Sequence, residues 1–120
     1  MIKNQNSKKY DLEERTLEFS KRVIDLVNKL PRNSINIELI SQVIRSAGSI
    51  GANYREANEA LGKKDFYMRT RISRKEAKET QYWLELILYN NKQLKVNLEP
   101  LIRESIELLK IFSAIISKYS

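Results

Sequence analysis

Five cations fall within fifteen residues of one another, at Lys64, Arg71, Arg74, Lys75 and Lys78, and three tyrosines, Tyr67, Tyr82 and Tyr89, are interleaved with or follow them. At the 100° per residue of an α-helix these positions share one flank, although Glu85 interrupts it. Cations displace phosphate counterions and aromatic rings offer stacking faces, so a stripe of this kind suits a nucleic-acid backbone with unstacked bases. Lysine and arginine are also good helix formers, and the same stripe fits a solvated face or an intersubunit salt-bridge surface.

Other chemistries are narrowed by what is missing. The chain has no histidine and no cysteine, which removes the commonest general base, the commonest transition-metal ligand and every thiolate reaction. The three glycines, Gly48, Gly51 and Gly62, form neither a GxGxxG nor a P-loop spacing. Carboxylates remain, and a metal site around Glu56 and Glu59 is the surviving enzymatic alternative. The reading is of a protein that is not an enzyme and needs no cofactor.

These side chains must be carried by something, and 120 residues at 42% hydrophobic suffice for one packed domain. Apolar runs such as Ala114 to Ile116 fall far short of the roughly 20 residues of a membrane span, and residues 1 to 10 lack the apolar centre of a secretory signal. A cytoplasmic location with no membrane partner is expected. The formal net charge of +7 is concentrated in two places. Residues 1 to 10, read as a flexible tail, hold three lysines, and residues 63 to 78 hold seven cations against two carboxylates.

Four helical periods follow in the domain, residues 11 to 120. Leu12, Phe19, Val23, Leu26, Val27 and Leu30 form the first, with Asp11 as its expected cap and Pro31 as its stop. Ile37, Ile40, Val43, Ile44, Ala47, Gly51 and Tyr54 form the second, closing near Gly62. Phe66, Ser73, Ala77, Thr80, Leu84, Ile87 and Leu88 form the third. The fourth is expected to start at Asn97, with Pro100 in its first turn, and carries Leu101, Ile102, Ser105, Leu108, Leu109, Phe112, Ile115, Ile116 and Tyr119. Short connections make neighbours antiparallel, so the fold class is all-α, an up-down-up-down four-helix bundle.

Within the second helix, Ser46 to Ala52 is almost entirely small. Interior glycines cost about 1 kcal/mol each relative to alanine, so a compensating close approach is expected. Ala47 and Gly51 lie toward the core, while Ser49 and Ala52 lie nearly opposite, where a second subunit could pack. A helix break or a locally thin core fits the same run.

The run Arg45-Ser46-Ala47-Gly48-Ser49-Ile50-Gly51-Ala52-Asn53-Tyr54-Arg55-Glu56-Ala57, then Lys63-Lys64-Asp65-Phe66, then Glu76-Ala77-Lys78-Glu79-Thr80-Gln81-Tyr82-Trp83-Leu84, resembles the bacterial four helix bundle protein family, also called the rRNA intervening-sequence protein family. The resemblance covers roughly residues 10 to 118. It implies an antiparallel four-helix bundle that assembles into a homo-oligomeric ring, commonly a pentamer. Some members are encoded within insertions in large-subunit rRNA genes, and a related branch serves diversity-generating retroelements as an accessory protein contacting a reverse transcriptase and RNA. The chain departs from a common form, S-I-P-A-N-I-A-E-G, at Gly51, Tyr54, Arg55 and Ala57.

Three expectations combine these readings. Lys64, Tyr67, Arg71, Arg74, Lys75, Lys78 and Tyr82 are the candidate nucleic-acid site. Arg45, Ser49, Ala52, Asn53 and Glu56 are the candidate structural and interface motif, with Asn53 and Glu56 in a polar network that Arg45 or Arg74 completes, or else in solvent. The partners are further copies of the chain and RNA or a nucleic-acid enzyme; the alternative is an oligomeric scaffold for proteins alone.

Overall fold

The computed structural model describes the backbone of residues 2–119 and the side chains of residues 12–118. Four helices carry the chain: α1 (Ile2–Val27), α2 (Ser34–Asn58), α3 (Lys63–Asn90) and α4 (Lys95–Tyr119), with a 3-10 turn at Lys92–Leu94 before the last. No strand occurs among the described residues. Ties between helices fix their directions. Thr16 lies against Gly51 and Ser20 bonds Ala47 across α1 and α2, and Ser46 meets Thr80 while Ser73 meets Ile50 across α2 and α3. In each pair one number falls as the other rises, which is antiparallel packing. The all-α up-down-up-down bundle is the observed architecture.

Apolar periodicity explains most of the core. All six positions of the first stripe, from Leu12 to Leu30, are buried, although Leu30 packs from the turn after α1 has ended at Val27. On α4 the buried positions Leu101, Ser105, Leu108, Phe112 and Ile116 repeat at intervals of three or four, with the Phe112 ring tilted against Tyr54, centroids 5.7 Å apart.

The structure corrects three details. Asp11 lies inside α1 and does not cap it, because the helix extends back to Ile2; the side chains of the basic residues 1 to 10 lie outside the described residues. Asn97 does not cap α4 either: the 3-10 turn feeds the helix directly, and Pro100 sits past the first turn, leaving the carbonyl of the exposed Val96 without a helical donor. Ile37 and Ile44 are 53% and 41% exposed. The buried face of α2 is centred instead on Asn36, Val43, Ala47, Ile50, Tyr54 and Ala57, so each isoleucine lies one residue, about 100°, round from it.

Asn33 supplies the cap of α2, its side chain accepting a 2.9 Å bond from the Asn36 amide. Asn36 is itself fully buried and pairs with the buried Asn91. Asn36 Nδ2 donates to Asn91 Oδ1 and Asn91 Nδ2 donates back to Asn36 Oδ1, each at 2.9 Å. Asn36 also donates to the Pro31 carbonyl and accepts from Asn90 Nδ2, and Asn91 donates to the Ile87 carbonyl. This amide cluster clamps the start of α2 to the end of α3.

The seams are unequal. α2 and α3 pack most extensively, and α1 and α4 least. A bidentate pair at the α1 and α4 seam joins Arg15 Nε and Nη2 to the Glu104 carboxylate at 2.7 and 2.8 Å, and these hydrogen bonds hold the Arg15 pKa above its ordinary value.

Candidate nucleic-acid interface

The first half of α3 is held against α2 by small polar groups. Ser73 Oγ donates to the Ile50 carbonyl at 2.9 Å, and Thr80 Oγ1, which also donates to Glu76 O, lies 2.8 Å from Ser46 Oγ. These contacts turn the opposite flank of α3 toward solvent and α4. There a groove of about 770 Å³ opens, lined on the α3 side by Arg71, Arg74, Lys75 and Lys78 and on the α4 side by Leu109 and Ser113. Met68 and Ile72 complete its lining, so its walls are partly apolar and no carboxylate lines it. None of the ion pairs among the described residues engages these four cations.

Four of the seven expected site residues thus line one groove. Lys64 is exposed two turns before Arg71 and lies outside it. Tyr67 is half-buried and committed to Arg71, whose Nη1 donates to its hydroxyl at 3.0 Å and whose guanidinium carbon lies 5.4 Å from its ring centroid. Tyr82 is exposed and meets the half-buried Trp83 edge to face at 5.2 Å. Glu85, the interruption in the stripe, accepts from Gln81 at 3.3 Å.

The motif on α2 divides between inside and outside. Arg45 reaches across to α3, 3.5 Å from Glu76 and 3.3 Å from Glu79. Asn53 donates to the Ser49 carbonyl of its own helix at 2.9 Å, Ser49 is half-buried, and Ala52 and Glu56 are exposed. Gly51 has an internal reason: a Cβ there would meet Thr16 Oγ1 at 2.9 Å and Thr16 Cβ at 3.2 Å. At Gly48 a Cβ would meet nothing within 4 Å.

Beside the α1 and α2 seam three large apolar side chains stay partly in solvent, and of these only Ile44 belongs to a stripe that periodicity assigned to the core. Leu17 and Ile24 flank Ser20 on α1, and Ile44 and Gly48 precede Gly51 on α2 by seven and three positions. The three large side chains are 38%, 47% and 41% exposed. Among the described residues no group of three or more histidines, cysteines, aspartates or glutamates is placed to hold a metal ion, and no described helix is long and apolar enough to cross a membrane.

Fold and site together define a small all-helical bundle whose most distinctive surface is a basic groove between its third and fourth helices. The chain belongs to the 23S rRNA-intervening sequence protein family, whose model matches residues 8–114. It is similar to a crystal structure from Bacteroides thetaiotaomicron, a protein of unknown function from the S23 ribosomal protein family. The two are 34% identical with a TM-score of 0.82, and the match covers 92% of this chain and 98% of that one. No curated protein matches the chain.

Proposed function

We propose that the protein is a non-catalytic, cytoplasmic, RNA-associated bundle that works as a homo-oligomeric ring, its α3 and α4 groove presenting cations to phosphates. The observation that carries this is the groove itself: Arg71, Arg74, Lys75 and Lys78 converge there with no acid in the lining. Unneutralised cations side by side repel one another, and a polyanion relieves that repulsion while releasing its own counterions. Family membership supports a link to ribosomal RNA or to a nucleic-acid enzyme for which the bundle is an adaptor. The exposed apolar edge of Leu17, Ile24 and Ile44 supports self-association, and five copies is the number that the family resemblance implies.

Reversing Arg71, Arg74 and Lys78 to Glu tests the reading. Retention of an rRNA-derived transcript at low salt is expected to fall at least a hundredfold, with helix content unchanged because Arg71 and Lys78 are exposed, Arg74 is half-buried at the open groove, and surface substitutions away from packed sites cost only about 0.5 kcal/mol each. Native binding should weaken with salt at a slope of about −0.7 per phosphate contacted in log K against log salt. Light scattering on native protein and variant is expected to give about five times the 14.1 kDa of one chain in both. A native monomer would refute the ring. Loss of mass in the variant would assign these cations to intersubunit salt bridges, and a native protein that retains no RNA would leave a scaffold for proteins, which the apolar edge also suits, as the better account.

A further inference from the structure

Position along α3 separates two kinds of side chain. Arg71, Lys75 and Lys78 are exposed, and the same stripe runs on through the exposed Tyr82, Glu85 and Tyr89 in steps of four, three, four, three and four residues, the Glu85 carboxylate accepting from Gln81. Such steps keep all six on one line along the helix. The first three are cations; beyond them stand two rings, 56% and 74% exposed, with the one carboxylate between them. At 1.5 Å per residue the line from Arg71 to Tyr89 is about 27 Å long. A solvated salt-bridge face gives no reason for two large rings to continue a line of cations into water.

From this order we infer that the stripe takes a single strand of RNA, its phosphates on Arg71, Lys75 and Lys78 and its unpaired bases stacked on Tyr82 and Tyr89. The inference rests on the RNA reading above and adds strandedness and polarity to it. Rings can stack only on bases whose faces are free, and a duplex hides its faces in its own stack while offering phosphates alone. A length of about 27 Å suits the short end, about four nucleotides, of single-strand sites that combine a basic track with aromatic platforms. Tyr82 is braced by the edge contact with Trp83, whereas Lys92 Nζ lies over one face of the Tyr89 ring, 5.1 Å from its centroid, so a base there takes the other face or displaces the lysine. Bracing lowers the entropy lost when a base settles on a ring.

The test uses the full-length protein, an unstructured 12-nucleotide RNA and the same strand annealed to its complement. The single strand is expected to bind at least fivefold tighter than the duplex. Tyr82→Ala with Tyr89→Ala should cost the single strand about tenfold or more and the duplex little, whereas Tyr82→Phe with Tyr89→Phe should restore binding because the rings remain. Trp83 is the chain's single tryptophan, and its emission should change when the single strand binds and not when the duplex does. Equal or tighter duplex binding, unchanged affinity in the alanine variant, or equal competition by polyglutamate would overturn the inference. In each of those cases, RNA retention that is lost on reversing Arg71, Arg74 and Lys78 would keep the broader reading; failure to bind either RNA would remove both.

Discussion

Asn36→Ala is expected to lower the free energy of unfolding by about 3 kcal/mol, a fall in melting temperature on the order of 10 °C for a chain of this size. The residue is fully buried, and its amide serves Pro31, Asn90 and Asn91 at once. Truncation would leave Asn91 Oδ1 and the Pro31 carbonyl without those donors. Each buried polar group left unpaired costs about 1 to 3 kcal/mol, far more than the net gain from a hydrogen bond made in exchange for water. Asn36→Leu together with Asn91→Leu should be milder than Asn36→Leu alone, because the second change removes the buried Asn91 amide that the first would orphan, leaving only the Pro31 and Ile87 carbonyls without these donors. Urea denaturation decides it, and a change below about 1 kcal/mol would show that water or a rotated Asn91 satisfies the site.

Gly51→Leu should destabilise the bundle by about 3 kcal/mol. A helix interior ordinarily favours leucine over glycine by several tenths of a kcal/mol, so the sign depends on the space available. The first atom of any side chain would already lie 2.9 Å from Thr16 Oγ1 and 3.2 Å from Thr16 Cβ, closer than packed atoms tolerate. Thr16 is fully buried and its hydroxyl bonds the Glu13 carbonyl, so its rotation is restrained. α1 would have to move off α2. Thr16→Ala in the same chain is expected to recover at least 1 kcal/mol; purely additive effects of the two changes would mean that the contact is not the cause.

How far the sequence discloses this architecture depends on whether a feature is periodic or positional. α4 and α1 were legible because their apolar residues recur within one chain segment: all six α1 positions are buried, and on α4 Leu101, Ser105, Leu108, Phe112 and Ile116 are buried with Ile102, Leu109 and Ile115 half-buried beside them, while the side chain of Tyr119 lies outside the described residues. The centring of α2 was not: Asn36 begins its buried face, but as an amide it does not count toward an apolar stripe, and the neighbouring Ile37 and Ile44 draw the apparent face toward themselves. An amide spaced four, seven and eleven residues before Ile40, Val43 and Ala47 was the available signal. Its partner was not readable, since pairing Asn36 with Asn91 requires the register of two helices 55 residues apart. The same limit governs the candidate site. Charge and period put Arg71, Arg74, Lys75 and Lys78 on one flank, but the wall made by Leu109 and Ser113 exists only once α4 is docked. Likewise, Arg45 turning to Glu76 and Glu79 depends on how α2 lies on α3.

The inequality of the seams has a consequence for how the native state fluctuates. α2 and α3 are joined by the Asn36 and Asn91 pair, by Ser46 with Thr80 and by Ser73 on the Ile50 carbonyl, all buried. α1 meets α4 across the thinnest seam, where Arg15, its side chain 42% exposed, pairs with Glu104. A single bidentate pair at a seam where Arg15 is 42% and Glu104 15% exposed is worth on the order of 1 kcal/mol, less than the several buried ties between α2 and α3 together. The cheapest excursions from the folded state should therefore swing α1 outward while the α2 and α3 hairpin stays closed. Amide protons of α1 should exchange with solvent well before those around Ser46 and Thr80, and the reverse order would contradict this hierarchy.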